Sequence, residues 1–267
     1  MVKGLDKFRT HFEGYVDHYI LIGGTACDLR FTEKGLDFRV TKDLDIILVI
    51  EAITDQFVQH FWDFIRAGGY EVAQIDEKKR FYRFHSPKSG EHPIMLELFS
   101  RQPEILQSVE ELHITDIPTG EAVSSLSAIL LEDGYYQFTL ENSDTINGVR
   151  MASDIALIAL KTRAFLNNRQ RKAEGQDVHE VDISKHRNDV IRLTSTVGGS
   201  KARRVPETIR NDIATFIDVF HDEPDNVKAL LKPWGLANIR KEDIINQLTD
   251  TFDLNEPSVT LTVTTVA

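Results

Sequence analysis

Two acidic residues interrupt the start of a strongly apolar run, and this run constrains the fold more than any other segment. Residues 43–50 read Asp-Leu-Asp-Ile-Ile-Leu-Val-Ile, a β-branched pattern that predicts a buried strand. Side chains two apart in a strand share a face, so Asp43 and Asp45 converge while Leu44 and Ile46 enter the core. Because two carboxylates on one buried face are costly without a cation, the run predicts a metal site.

A glycine pair ends the preceding apolar run. Residues 19–24 read Tyr-Ile-Leu-Ile-Gly-Gly and predict a buried strand that breaks at Gly23 and Gly24, followed by a helix that ends at Gly35. Glycine permits close backbone approach, so the amides of this turn and the Thr25 hydroxyl can hydrogen-bond phosphate oxygens near a helix N-terminus. Together with the acidic strand, the turn indicates a phosphate substrate held with Mg²⁺ (or Mn²⁺), because hard oxygen ligands suit these ions.

A third acid is expected from a neighbouring strand. Glu97 is the one charged residue in the apolar run Ile-Met-Leu-Glu-Leu-Phe. A third carboxylate can either complete a two-metal site or act as the base that draws a proton from an attacking hydroxyl. Asp43, Asp45 and Glu97 are therefore the predicted catalytic and metal-binding residues. A salt bridge from Glu97 to Arg83 or Arg101 is the structural alternative.

The remaining patterns predict a mixed α/β first half and a helical second half. They indicate helices over residues 5–17 and 54–67 and strands over 70–75, 80–86 and 92–100. Residues 135–140 are expected to pair as a strand with 145–151, and the tail after Pro257 is β-prone. Four further helices are expected over residues 153–166, 182–193, 206–222 and 241–252. We predict an α+β fold, with an α/β catalytic domain over residues 1–150 and a helical domain over 151–267 that completes the cleft.

Composition and charge narrow the classes of partner. The chain has 267 residues, 41% of them hydrophobic, with a formal net charge of -11 and a single cysteine, Cys27. No global positive field would hold a long nucleic acid, so an RNA partner requires a local basic patch. The basic run over residues 169–176 is interpreted as a solvated loop in preference to an RNA contact. One cysteine, no signal-peptide core and no long apolar stretch predict a cytoplasmic protein without a membrane segment.

At these residues the chain resembles the nucleotidyltransferase superfamily, whose signature is a strand, a Gly-Gly or Gly-Ser turn, a helix and an Asp-x-Asp strand. More narrowly, residues 20–30 and 39–50 resemble the AbiEii and MenT branch, bacterial toxins of toxin–antitoxin pairs. Arg39 and Thr41 match its Arg-x-Thr-x-Asp-x-Asp run, together with the two aspartates. The resemblance implies the nucleotidyltransferase fold, a mixed sheet with flanking helices and a C-terminal helical domain.

The same branch implies nucleotide-binding residues in the helical half. Lys161 matches a lysine that faces the triphosphate, and Lys185 and Asp189 match a Lys-Asp-x-x-Asp helix, in which His186 replaces the first aspartate. Structural alternatives are that Lys161 only extends along an amphipathic helix while Arg163 contacts phosphate, and that Lys185 and Asp189 form a plain surface pair. The complete implied set of nucleotide-binding residues is Gly23, Gly24, Thr25, Arg39, Thr41, Lys161, Lys185 and Asp189.

By resemblance, the expected function is transfer of a nucleoside monophosphate from a nucleoside triphosphate to a tRNA or other RNA end, or to a protein hydroxyl. The resemblance also raises an antitoxin as a partner. Fold kinship alone does not choose the acceptor. Two alternatives stay open: a catalytically weak nucleotide-binding or regulatory module, with which the departure at His186 agrees, and an oligomeric interaction protein whose acids are incidental.

Overall fold

The computed structural model describes residues 2–39, 41–74, 81–100, 115–116 and 132–255. In chain order its first elements are α1 (Leu5–His11), β1 (Tyr19–Ile22), α2 (Gly23–Glu33), β2 (Asp43–Leu48), α3 (Asp55–Gly68), β3 (Glu71–Gln74), β4 (Phe81–His85), β5 (Met95–Phe99) and β6 (Thr115–Asp116). They are followed by α4 (Asp133–Glu141), β7 (Ser143–Ile146), β8 (Val149–Ala152), α5 (Asp154–Ala173), α6 (Glu180–Thr196), α7 (Glu207–Asp222), α8 (Val227–Leu231) and α9 (Lys241–Thr251). The predicted mixed α/β class is confirmed.

The strands form one mixed sheet in the order β6-β3-β4-β5-β2-β1-β8-β7. Strand β2 pairs antiparallel with β1 and parallel with β5, and β5 pairs antiparallel with β4. The hairpin of β7 and β8 joins the sheet through a parallel pairing of β8 with β1. Because β2 lies inside this order, nearly all its residues are buried, which accounts for its continuous apolar sequence.

One face of the sheet packs against α1 and α3. Phe84, Leu96 and Leu44 lie in register across β4, β5 and β2, and all three are fully buried. The Phe84 ring lies 5.6 Å from that of Phe61 and 5.8 Å from that of Trp62, both on α3. Helix α3 forms because its apolar residues recur at helical spacing between the Thr54 cap, whose hydroxyl accepts from the Phe57 amide, and Gly69 in the left-handed region.

The opposite face of the sheet carries the polar residues. Successive side chains along a strand point to opposite faces of the sheet. The sequence neighbours of Phe84, Leu96 and Leu44 therefore project to the other face; they are Arg83, Glu97 and Asp45. Helix α2 contacts β1 and β2 and in turn contacts α5. The face that bears the acids is therefore the one that meets α2 and the helical second half.

Helix α5 is the centre of the helical second half. The Ser153 hydroxyl caps it by accepting from the Ala156 amide at 3.3 Å, and its residues from Ile155 to Thr162 are buried without interruption. It packs against α6, α7 and α2. Lys34, the residue that follows α2, also donates to the Asp154 carboxylate at 2.8 Å. The predicted boundary after residue 150 lies inside β8, and the division into two domains stays a prediction.

Residues 135–140 were expected to form a strand, and this expectation is wrong because they lie in α4. Tyr135, Tyr136, Phe138 and Thr139 are all buried, which is one face of a helix. The Tyr135 hydroxyl donates to the Asp212 carboxylate of α7 at 2.5 Å. Aromatic residues favour strands in isolation, but burial of this face against the other helices outweighs that preference.

Other boundaries differ from the sequence expectation in smaller ways. Residues 145–151 form most of a hairpin, because Asn147 and Gly148 both have positive φ, 51° and 78°, as a two-residue turn between strands requires. The first helix ends at His11, and a 3-10 helix follows over Glu13–His18. Residues 75 and 80 of the predicted strands and the tail after Pro257 lie outside the described residues. No helix in the described ranges is long and apolar enough to cross a membrane.

Candidate functional site

The strand register places two of the predicted acids side by side. Asp45 of β2 pairs directly with Glu97 of the parallel neighbour β5, and Asp43 lies two residues earlier at the start of β2. Asp45 and Glu97 are only 8% and 6% exposed, whereas Asp43, at the start of β2, is half-buried. The acids therefore form a row that runs from the sheet interior to the cleft, which we call the acid row (Asp43, Asp45 and Glu97).

Burial and neighbouring charge raise the pKa values of both aspartates in the acid row. The pKa of Asp45 is raised well above its ordinary value, first by burial and then by the Glu97 charge and a hydrogen bond between the two carboxyl groups. Burial and the Glu97 charge also raise the pKa of Asp43. The ionised form of each aspartate is therefore disfavoured where it lies.

The donor chemistry of the acid row fits a hard divalent cation only in part. Two buried carboxylates side by side are unfavourable without a nearby positive charge, which Mg²⁺ or Mn²⁺ would supply. However, no three carboxylate, imidazole or thiolate groups among the described residues are arranged to hold one ion. The Arg83 guanidinium holds Glu97, with Nε at 2.9 Å and Nη2 at 2.8 Å from Oε1, so the salt bridge considered as the structural alternative for Glu97 is formed. Arg101, the other partner considered, lies outside the described residues.

The glycine turn lies directly on the acid row. Gly23 has φ of 68°, and a Cβ built on it would lie 1.7 Å from Oδ2 of Asp45. A Cβ on Gly24 would lie 2.6 Å from the Thr41 hydroxyl oxygen and 3.6 Å from Nη2 of Arg39. Only glycine fits these positions, and the N-terminus of α2, which has no side-chain cap, thereby meets the acid row.

Thr25 has a different role from the one expected. Its side chain is fully buried, and its hydroxyl donates to the backbone carbonyl of Asp43 at 2.5 Å. This hydroxyl was expected to hydrogen-bond phosphate, whereas here it links the first turn of α2 to the start of β2. Thr41 is half-buried and contacts the glycine turn, so it remains a residue of the cleft.

A cluster of positive charges near the acid row combines Arg39, which precedes β2, with two lysines of the helical half. The fully buried Asp189 carboxylate accepts from Arg39 Nη2 at 3.0 Å and lies 3.4 Å from the Lys161 ammonium. Burial alone would raise the pKa of Asp189, but Lys161 and Arg39 outweigh it and the pKa is lowered. The pKa of Lys185 is lowered by partial burial and by the charges of Arg39 and Lys161. We call Arg39, Lys161 and Lys185 the cationic cluster.

The structural alternatives for these residues do not hold. Lys161 is 3% exposed, so its ammonium does not reach solvent along the helix surface. Arg163 instead pairs with Asp212 of α7 at 3.0 Å. Asp189 is buried and pairs with Arg39 and Lys161, and is thus no surface partner of Lys185. The charge of Lys161 lowers the pKa of Asp45, and that of Lys185 lowers the pKa of Asp43, so the cationic cluster lies close enough to the acid row for their charges to interact.

Asp189→Asn is expected to lower the free energy of unfolding by about 3 kcal/mol or more, because it leaves the buried Lys161 ammonium without a carboxylate. Urea unfolding at neutral pH measures the loss. Adding Lys161→Met to this variant should recover much of it, since the unpaired charge is then removed as well. A single variant within about 0.5 kcal/mol of wild type would show that the pair does not neutralise Lys161.

His186, which stands where the resembled motif has an aspartate, is a neutral member of this cluster. Burial, and then the positive charges of Lys161, Lys185 and Arg39, together lower its pKa to about 3, against the effect of Asp189. Its Nδ1 is buried without a hydrogen-bond partner among the described residues. It therefore cannot replace the carboxylate of the motif as a negative charge.

The buried His186 predicts a loss of stability in acid. An unfolded histidine titrates near pH 6.5, whereas folded His186 stays neutral down to about pH 3. The folded state binds fewer protons in this window, so stability falls as pH falls through it. His186→Gln should flatten the dependence of urea unfolding free energy between pH 7 and 4.5. The exposed His221→Gln is the matched control and should follow wild type; equal curves for all three proteins would refute the assignment.

The basic run does not form a free nucleic-acid surface. Residues up to Ala173 belong to the last turns of α5 and are not a loop. Arg169 pairs with Glu223 at 3.0 Å, and Lys172 pairs with Glu180. Arg171 instead donates to the Gln176 side chain at 2.7 Å. The residues of the run are exposed apart from Arg171, which is half-buried.

Arg83 is the site residue that sequence reasoning did not include among its candidates. It entered only as a salt-bridge alternative for Glu97, because its strand gives no local sign of which acid it faces. The register of β4 with β5 places it opposite Glu97, and its charge also lowers the pKa of Asp43. An arginine in a strand next to one with a lone buried acid is the signal that indicates such a pair.

The chain matches no protein-family model, no curated protein and no solved structure. The resemblance to nucleotidyltransferases therefore rests on the sequence motifs alone.

Proposed function

We propose that this chain is a nucleotidyltransferase-fold enzyme that uses Mg²⁺ or Mn²⁺ to transfer a nucleoside monophosphate from a nucleoside triphosphate to an acceptor hydroxyl. One observation carries the proposal: the acid row lies against the glycine turn at the start of α2, and the cationic cluster lies close enough for its charges to act on the acids. Carboxylates, helix N-terminal amides and cations together are what a metal-bound triphosphate requires.

Each group in the cleft has a distinct task in this proposal. The amides of Gly23 and Gly24 donate to phosphate oxygens at the N-terminus of α2, where the helix dipole favours negative charge. Arg39 and Lys185 neutralise the remaining charge of the triphosphate, and Lys161, held by Asp189, keeps the inner end of the cleft positive. A divalent ion bound at the acid row supplies neutralisation and polarisation of the reacting phosphate.

The acid row also provides the proton acceptor. In-line attack at the α-phosphate by a hydroxyl releases a proton and pyrophosphate, so a carboxylate must accept that proton. Burial and the Glu97 charge raise the pKa of Asp45, which makes Asp45 a better proton acceptor than an ordinary carboxylate. Asp43, nearer the mouth of the cleft, is the first carboxylate that the incoming nucleotide meets.

The acceptor is an RNA end or a protein hydroxyl, and the resemblance to toxins adds a biological role. The chain carries a net charge of -11, and Arg169 and Lys172 of its basic run are paired with acids, so a long nucleic acid is disfavoured against a short RNA end or a protein. Expression of the wild type should then arrest bacterial growth, whereas Asp45→Asn should not. Growth curves after induction, with equal protein levels by immunoblot, test this role.

Nucleotide binding and transfer are tested with the same four triphosphates. Thermal unfolding should shift upward only when Mg²⁺ and a nucleoside triphosphate are both present, since a ligand at 100 times its Kd adds about 2.7 kcal/mol. Label from an α-labelled triphosphate should then enter an RNA or protein acceptor. If none of the four nucleotides gives thermal protection and none gives label transfer, the proposal is excluded.

A nucleotide-binding module without turnover is the second candidate. It is favoured by the Arg83–Glu97 ion pair, which occupies the third carboxylate. This candidate predicts Mg²⁺-dependent thermal protection by a triphosphate but no incorporation of α-label into any acceptor. Protection with incorporation would instead favour the enzyme.

A further inference from the structure

Glu97 lies between a positive charge and a carboxyl group in one row across the sheet. Arg83 of β4 pairs in register with Glu97 of β5, and Glu97 pairs in register with Asp45 of β2. Directly paired residues project from the same face, so the three side chains are neighbours. Any ion that uses Glu97 as a ligand must therefore compete with Arg83.

The ion pair between Arg83 and Glu97 is largely shielded from water. Both Nε and Nη2 of Arg83 approach the same Oε1, at 2.9 and 2.8 Å. The two side chains are 14% and 8% exposed. A charge-assisted pair of this kind is strong, and separating it leaves two poorly hydrated charges. The pair therefore opposes any rearrangement that would turn Glu97 toward a cation.

The same guanidinium acts on more than one acid. Burial raises the pKa of Asp43, and the charge of Arg83 is among those that counter the rise. Arg83 thus serves as an internal counter-ion for the acid row, on the side away from the cationic cluster. A protein with such a counter-ion gains less from binding a free divalent ion than one with bare carboxylates.

We propose that Arg83 is a positioning residue that holds Glu97 in the nucleotide-free protein and keeps its affinity for divalent ions low until a triphosphate arrives. The inference rests on the proposed function, because it treats Glu97 as a potential metal ligand. A triphosphate brings several phosphate oxygens to the ion, which lets the metal bind without a complete protein ligand set. Metal and nucleotide then enter together.

The test measures Mn²⁺ binding to the nucleotide-free protein. Binding is monitored by the decrease of the free Mn²⁺ signal in electron paramagnetic resonance. Arg83→Gln should bind Mn²⁺ about tenfold or more tightly than wild type, because Glu97 is released. Adding Glu97→Gln to that variant should abolish the gain. Lys42→Gln is the matched control, since Lys42 is an exposed residue whose charge also lowers the pKa of Asp43 but does not touch Glu97. It should stay within about twofold of wild type.

Equal Mn²⁺ affinities for wild type and Arg83→Gln, or an equal gain in Lys42→Gln, would overturn the inference. Should Arg83→Gln fail to fold by circular dichroism, Arg83→Lys carries the test, because it keeps the charge but loses the two-nitrogen fork. We then expect about threefold tighter Mn²⁺ binding than in wild type. Unchanged Mn²⁺ affinity would contradict the inference.

The outcome is separable from the proposed function, because no nucleotide is present. If Arg83→Gln binds Mn²⁺ more tightly but the wild type transfers no label, the role of Arg83 is supported and the enzymatic function is contradicted. If the wild type transfers label but Arg83→Gln does not bind Mn²⁺ more tightly, only the role of Arg83 is contradicted.

Discussion

Asp45→Asn is expected to reduce nucleotide transfer by about 10²–10³-fold, the scale of losing one electrostatic group from an active site. Asp45 pairs with Glu97 in the register and lies against the glycine turn, so no neighbouring carboxylate can take its place. Stability should rise by about 1 kcal/mol or stay unchanged, because the variant removes a buried carboxyl that burial and Glu97 both disfavour as an anion. Initial rates of α-label transfer and urea unfolding measure the two effects.

Asp28→Asn is the matched control for that variant. Asp28 lies in α2 and is half-buried, and its pKa is likewise raised, first by burial and also by Asp37, but it belongs to neither the acid row nor the cationic cluster. Its loss should leave transfer close to wild type. Equal reductions in both variants would mean that transfer depends on α2 in general and that Asp45 has no special part.

Gly23→Ala is expected to lower the free energy of unfolding by about 2–4 kcal/mol and to abolish nucleotide protection. The added Cβ would need φ of 68° and would lie 1.7 Å from Oδ2 of Asp45. Either α2 or the Asp45 side chain must then move, and both carry groups that the triphosphate requires. Urea unfolding and the Mg²⁺-dependent thermal shift with nucleotide record the two losses.

Gly35→Ala separates backbone strain from close contact. Gly35 has nearly the same φ, 69°, but a Cβ there has nothing within 4 Å. Gly35→Ala should lower the free energy of unfolding only by the strain of a left-handed backbone, about 1–2 kcal/mol, and leave nucleotide protection unchanged. If the two alanine variants lose equal stability and both keep the protection, the contact between the glycine turn and Asp45 has no functional weight.

The local patterns of the sequence predicted the parts of the site that depend on one segment at a time. Alternation along β2 places Asp43 and Asp45 on one face because strands have a period of two. The glycine pair marks the end of β1 because only glycine accepts both the positive φ and the contact with Asp45. Glu97 was found as an isolated charge in an apolar strand, and the structure places it beside Asp45.

Pairings between distant segments could not be predicted in the same way. Nothing in residues 81–85 shows that Arg83 will lie opposite Glu97, since the register depends on how β4 enters the sheet. The Thr25 hydroxyl was expected to meet phosphate, but the return of the chain at Asp43 supplies a backbone acceptor for it. Helix α4 has strand-forming aromatics, and its helical state depends on helices that follow it in the chain.

The most direct measurement compares the fate of α-labelled and γ-labelled nucleoside triphosphate with wild-type protein, Mg²⁺, and RNA and protein acceptors. The account predicts that the α-label enters an acceptor while the γ-label leaves as pyrophosphate. Transfer of the γ-label instead, or transfer of neither label by folded protein with all four nucleotides, would contradict it.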